Sequence, residues 1–128
     1  MKRDQIAFEA TSATGLLAVG YVRVAAVPHL HPRSGLDAQL ATIRAVAKAD
    51  RIELVRVFED SGESAHNARR PGLLALLAAV NAGQANVIIV PDLARLARDT
   101  GVLHRLMGLF SRRGVRLLST VERPVAEV

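Results

Sequence analysis

The sequence predicts an α/β domain of three layers, in which a mostly parallel sheet of four to five strands is flanked by helices. Apolar, Val-rich runs alternate with segments whose apolar residues recur at helical spacing, in the order β-α-β-α-β-α-β. Such alternation favours a parallel sheet with right-handed crossovers. The length of 128 residues suits one domain with one core. Since only 3% of the residues are aromatic, we expect that core to be aliphatic.

The first half of the chain predicts an arm, a strand and a helix. Residues 1–14 show no periodicity and are interpreted as a mobile arm, with the domain spanning residues 15–128. Leu16–Ala26 is apolar and rich in Val, which is typical of a strand. Two prolines indicate that Val27–Gly35 is a loop. Ser34 can then cap a helix over residues 36–49, whose buried face would be Leu36, Leu40, Ile43 and Ala47.

The second half predicts three more strands and two helices. Arg51–Glu59 is predicted as a strand and the polar segment Asp60–Arg70 as a surface loop. Pro71 suits the first turn of a helix that ends near Gly83. Asn86–Val90 is short and continuously apolar, which is typical of a strand buried on both faces. A third helix, with an apolar face of Leu103, Leu106, Met107 and Phe110, precedes a fourth strand over Val115–Val121.

The composition limits the classes of partner and chemistry. The net charge of +5 favours a polyanionic partner such as nucleic acid, although a merely basic surface remains an equal alternative. The absence of cysteine excludes disulfides and thiolate metal sites. His29 and His31 lack an evident third ligand, so we expect neither metal nor cofactor, and no small-molecule substrate. Asp4 and Glu9 interrupt any leader peptide, so the default expectation is a cytoplasmic protein without membrane contact.

Several arginines follow the predicted strands where a ligand would bind. Ligands of open parallel sheets bind at the carboxyl ends of the strands, and guanidinium groups pair with phosphate oxygens. Arg23 lies near the end of the first strand, and the loops at this edge hold Arg33, Arg69, Arg70, Arg95 and Arg98. The residues alone leave two interpretations open. One is a phosphate-binding edge, and the other is a solvated rim with ion pairs to nearby Asp and Glu.

Five short stretches together resemble a known family. They are Tyr21–Ala25 (YVRVA), Leu36–Gln39 (LDAQ), Phe58–Ser64 (FEDSGES), Arg70–Leu73 (RPGL) and Arg95–Asp99 (RLARD). In order and spacing they are similar to the N-terminal catalytic domain of serine recombinases of the resolvase/invertase family. The resemblance implies a three-layer resolvase-like fold, which agrees with the predicted order of elements.

The resemblance also implies a chemistry. In the family, a serine attacks a DNA phosphodiester without metal or ATP, and arginines stabilise the charge on phosphorus. The matching arginines are Arg23, Arg70, Arg95 and Arg98. The further DNA-contacting or supporting residues that the resemblance implies are Tyr21, Gln39 and Ser64.

The chain departs from the family at two catalytic positions. Ala25 stands where the family has its nucleophile, and Ala94 stands where it has an aspartate. Losing a nucleophile alone costs a factor of about 10⁶ in rate. In addition, Asp92 replaces a usual lysine, which weakens the positive potential of the edge. The resemblance therefore implies a domain that has lost DNA cleavage.

Three hypotheses about function remain open. The first is a recombinase relative that does not cleave DNA but binds the DNA backbone weakly. It would act as an oligomer or together with an active relative, or be the remnant of a mobile element. The second is a protein-interaction module without DNA binding. The third is an active subunit that uses another hydroxyl, of which Ser64 is the best candidate. Because no helix-turn-helix or zinc-ribbon pattern is present, we expect no C-terminal DNA-binding domain.

Overall fold

The computed structural model describes residues 15–25, 35–62 and 70–121. Its strands are β1 (Leu17–Ala25), β2 (Glu53–Gly62), β3 (Val87–Val90) and β4 (Arg116–Ser119). Its helices are α1 (Leu36–Ala49), α2 (Pro71–Asn81) and α3 (Thr100–Arg112), and a short 3₁₀ helix spans Leu93–Arg95 between β3 and α3. Within the described ranges, this is the order of strands and α-helices that the sequence predicts. The predicted arm, most of the loop before α1, and Ser64 lie outside these ranges.

The four described strands form one parallel sheet in the order β2-β1-β3-β4. β1 is central and pairs with β2 from Leu17 opposite Glu53 to Ala25 opposite Gly62. On its other side β1 pairs with β3, which in turn pairs with β4. The prediction of a mostly parallel sheet flanked by helices is confirmed. None of the described helices is long and apolar enough to cross a membrane.

Helices cover both faces of the sheet. Along β1 the side chains alternate, so that Ala18 and Val22 pack with residues of α1 while Val19 and Tyr21 pack with residues of α2 and α3. All four residues of β3 are fully buried, as the continuous apolar run of this strand predicts. The sheet thus has one hydrophobic core on each face, and both consist mainly of aliphatic residues.

One local prediction is wrong and another falls outside the described residues. The predicted cap Ser34 lies outside them, and the residue that directly precedes α1 is Gly35, at φ 83°, without a side-chain cap of its own. The wrong prediction is the surface loop that starts at Asp60. The structure places Asp60 in β2, which continues to Gly62. Asp60 is only 8% exposed, and three hydrogen-bond donors satisfy its buried carboxylate. The position of Asp60 in β2 changes the interpretation of the site.

Gly108→Ala is expected to stabilise the domain. Gly108 lies within α3, and an added Cβ would be 3.4 Å from Nη1 of Arg112, an ordinary contact with a flexible side chain. Alanine in a helix interior is favoured over glycine by about 0.5–1 kcal/mol. The melting temperature should therefore rise by a few degrees, which calorimetry can measure. The matched control is Gly72→Ala, because a Cβ there would collide with the carbonyl oxygen of Glu59 and should lower the melting temperature. A fall for Gly108→Ala would contradict this packing.

Candidate functional site

The carboxyl ends of the central strands bring the predicted site residues to one edge. Arg23 and Ala25 are among the last three residues of β1, and Asp60 lies opposite Arg23 near the end of β2. Arg70 immediately precedes α2, and Arg95 ends the 3₁₀ helix that follows β3. The parallel topology therefore places segments that are distant in sequence next to one another.

The Asp60 carboxylate fastens the start of α2 to the sheet. Its Oδ1 accepts the backbone N–H of Gly72 at 2.7 Å, and its Oδ2 accepts that of Leu73 at 3.0 Å. Arg70, in the N-cap position, provides no side-chain cap of its own. Asp60 therefore caps α2 from a neighbouring strand, and its negative charge lies at the favourable end of the helix dipole.

Tyr21 connects this carboxylate to Arg70. The Tyr21 hydroxyl donates to Oδ2 of Asp60 at 2.5 Å and accepts from Nη2 of Arg70 at 3.0 Å. The guanidinium also lies over the tyrosine ring, 5.5 Å from its centre. Burial and, second to it, the hydrogen bond to Asp60 raise the pKa of Tyr21 to about 12, while Arg70 opposes the shift. The hydroxyl therefore stays protonated between the carboxylate of Asp60 and the guanidinium of Arg70.

Arg70 uses two of its hydrogen bonds to hold backbone in place. Its Nη1 donates to the carbonyl of Leu96 and its Nη2 to that of Arg95, both at 2.6 Å. Its own backbone is left-handed, at φ 44° and ψ 66°, a conformation that non-glycine residues seldom adopt. These bonds tie the start of α2 to the segment that follows β3. Among the described residues, its Nε is buried without an acceptor.

Arg95 extends this series of contacts to the end of β1. Its Nη1 donates to the carbonyl of Arg23 at 3.0 Å, and Nε2 of Gln39 reaches the same oxygen at 3.4 Å. Its Nε lies 3.4 Å from Oδ2 of Asp92, which forms an ion pair with it. Asp92, at the position where the resemblance implies lysine, therefore neutralises part of the charge of Arg95.

The predicted site residues divide into two groups. Arg23, Arg70 and Arg95 are linked in series through backbone carbonyls, with Tyr21 and Gln39 bound to the same series. Arg98 and Ala94 are exposed instead, and among the described residues no hydrogen bond or ion pair of the Arg98 side chain is found. Ala25 is the last residue of β1 and pairs with Gly62. Ser64 lies outside the described residues, so its role stays a prediction.

Asp60 is the residue that sequence reasoning missed. It belongs to the quoted stretch Phe58–Ser64, yet its polar neighbours predict a surface loop. A signal was available, since an acidic residue that directly continues an apolar strand, eleven positions before a Pro-Gly helix start, can reach that helix's free N–H groups.

The fold and this edge define a class, namely three-layer parallel α/β domains that gather arginines at the carboxyl ends of their strands. The chain belongs to the resolvase family, because residues 18–126 match the family model described as "Resolvase, N terminal domain". None of the curated protein sequences compared with the chain matches it.

Solved structures agree with this assignment. The C-terminal catalytic domain of ISC1926 TnpA, an IS607-like serine recombinase, is 28% identical with a TM-score of 0.72, over 82% of this chain and 70% of that one. The corresponding domain of IS1535 TnpA is 29% identical with a TM-score of 0.63, over 80% and 69%. A resolvase family site-specific recombinase from Streptococcus pneumoniae, at 22% identity and a TM-score of 0.71, covers 83% and 72% and shows the shared fold alone.

Proposed function

We propose that this resolvase-family domain contacts the DNA backbone at its carboxyl edge without cleaving it. It would act by binding, through assembly with itself or with an active recombinase relative. The observation that carries the proposal is the series Arg70–Arg95–Arg23, which gathers three arginines beside the end of β1, a strand whose last residue is Ala25. Guanidinium groups can pair with phosphate oxygens, while alanine offers no atom that could attack a phosphate.

Two features of the edge favour weak rather than tight binding. The Nη atoms of Arg70 already donate to two carbonyls and a hydroxyl, so this guanidinium serves the scaffold first. Asp92 is paired with Arg95, which lowers the potential that a phosphate would meet. Arg98 and the 37% exposed side chain of Arg95 are the groups best placed to reach a ligand from outside.

Cleavage would need chemical groups that the matching positions do not supply. The Ala25 methyl cannot form a phosphoester, and Ala94, whose side chain is exposed, cannot replace an acidic group. In enzymes whose catalytic groups act as a unit, the remaining groups do not compensate for a missing nucleophile. The proposal therefore assigns the domain a binding role within DNA recombination.

Arg98→Gln is expected to weaken DNA binding and its dependence on salt. If Arg98 neutralises one phosphate, the slope of log K against log salt should decrease by about 1. Fluorescence anisotropy with a nonspecific duplex, repeated from about 0.05 to 0.2 M salt, measures that slope. Arg44→Gln is the matched control, since Arg44 is exposed on α1, on the far face of the sheet. Equal slopes for wild type and Arg98→Gln would remove Arg98 from the site.

One observation favours a second function, that of a protein-interaction module. The hydrogen bonds of Arg70 and Arg95 to backbone carbonyls explain these two arginines as structural residues without any ligand. In that case the domain would bind a protein partner with little dependence on salt and would show no affinity for DNA. The titration above separates the two functions, because only backbone binding weakens steeply as salt is added.

A further inference from the structure

The net positive charge of the chain comes mainly from a segment outside the carboxyl edge. Residues 100–121 hold four of its arginines and no Asp or Glu, and the other 106 residues hold 13 Lys and Arg against 12 Asp and Glu. The excess of +5 therefore comes almost wholly from one short segment, which forms α3 and β4. The feature that first suggested a polyanionic partner thus belongs to a surface that the proposed edge does not include.

Three of these arginines lie along the outward side of α3. Arg105 and Arg112 are seven residues apart, so they lie on one side of the helix, and Arg113 follows at its end; all three are exposed. Phe110, on the opposite side of α3, faces the sheet and is buried in the core. We call Arg105, Arg112 and Arg113 the α3 arginine face.

The guanidinium groups of this face lie over small residues of the same helix. Nη1 of Arg105 is 3.7 Å from the position that a Cβ on Gly101 would occupy, and Nη1 of Arg112 is 3.4 Å from the corresponding position on Gly108. Each arginine therefore folds back by one helical turn over a glycine. The outer surface of α3 is therefore charged and has no exposed large apolar side chain among its described residues.

The face is not explained by contacts within the described part of the chain. No carboxylate of the described residues forms an ion pair with Arg105, Arg112 or Arg113. The helix dipole favours cations at the last turn, which would account for Arg112 and Arg113. It does not account for Arg105 in the middle of α3. Arg70 and Arg95, in contrast, are held by hydrogen bonds.

We propose that the α3 arginine face binds the sugar-phosphate backbone of duplex nucleic acid, as a polyanion site separate from the carboxyl edge. Arg105 and Arg112 are about 10 Å apart along the helix axis, and a DNA duplex carries one charge per about 1.7 Å. A protein interface would need apolar or aromatic anchors at its centre, which this face lacks. Because α3 runs back to the amino ends of the strands, the two sites would hold different stretches of backbone.

The test compares two triple variants with the same change in net charge. R105Q/R112Q/R113Q removes the face, while R44Q/K48Q/R56Q removes three exposed cations from α1 and β2. Binding to a nonspecific duplex of about 30 base pairs is titrated across salt concentrations by anisotropy. For the first variant we expect the salt slope to decrease by about 3 and affinity near 0.1 M salt to fall roughly 10²–10³-fold. The second variant should lose only a few-fold, and both should melt within a few degrees of wild type.

Each other outcome overturns a specific part of the proposal. Equal losses for the two triple variants would mean that overall charge, and no particular face, attracts DNA. Competition by polyglutamate as effective as that by duplex would replace nucleic acid with an acidic protein as the ligand. If the α3 variant binds normally while Arg98→Gln does not, the inference fails and the carboxyl-edge proposal stands. The reverse result would retain the inference and reject that edge.

Discussion

Asp60→Ala should lower the free energy of unfolding by about 3–5 kcal/mol, the largest effect expected from any single substitution at this edge. The carboxylate accepts two backbone N–H groups at the start of α2 and the hydroxyl of Tyr21. Because Asp60 is only 8% exposed, water cannot replace these bonds without opening the structure. Urea denaturation monitored by circular dichroism gives the free energy directly.

The matched controls separate burial from charge. Asp37→Ala removes an exposed carboxylate from the first turn of α1 and should cost at most about 1 kcal/mol. Asp60→Asn retains one acceptor oxygen and should fall between the two. If Asp60→Ala and Asp37→Ala were equally stable, the carboxylate of Asp60 would not be the group that fastens α2 to the sheet.

The domain should also lose about 3 kcal/mol of stability between pH 10 and pH 12. The pKa of Tyr21 rises from 10.0 to about 12 in the folded chain, and a shift of two units corresponds to that free energy. With the folded pKa raised, the contribution is complete below pH 10 and is lost as pH rises through 12. Tyr21 is fully buried and is the only tyrosine of the chain, which has no tryptophan. Its ultraviolet titration therefore reports one group.

Absorbance of the tyrosinate should appear near pH 12 in the native protein and near pH 10 in denaturant. Tyr21→Phe is the control, because it removes the ionisable hydroxyl while keeping the ring. Its stability should no longer fall in this pH range through the tyrosine, although it loses the bonds to Asp60 and Arg70 at neutral pH. A native titration at pH 10 would show that the hydroxyl is exposed to water.

The sequence predicts the fold well because each element has its own local signal. β3 is a continuous apolar run that the structure buries completely, and Gly83 follows α2 in the left-handed conformation that ends a helix. The end of β2 lacks such a signal for a strand. Polar residues there resemble a loop, but Asp60 pairs with Arg23 of β1, and donors of α2, brought close by the fold, bind its carboxylate.

The sequence predicts which arginines follow the strands but not which groups their side chains contact. The quoted stretches place Arg23, Arg70 and Arg95 at one edge, and the structure links these three. Which guanidinium is engaged with carbonyls and which faces solvent depends on distances across the fold. For that reason Arg70 and Arg98 differ in burial and in partners, although both belong to the quoted stretches and follow predicted strands. The same limit applies to α3, whose charge is evident in the sequence but whose outward side is not.

The most direct measurement of the central claim is a search for a covalent protein–DNA adduct. The chain is incubated with supercoiled and with nicked DNA, the reaction is stopped with detergent, and the products are separated by denaturing electrophoresis. Since Ala25 carries no nucleophilic atom, we expect DNA binding under native conditions and no adduct and no new nick. An adduct that mass spectrometry locates on a serine, with Ser64 the first to examine, would contradict the claim and identify the chain as an active recombinase subunit.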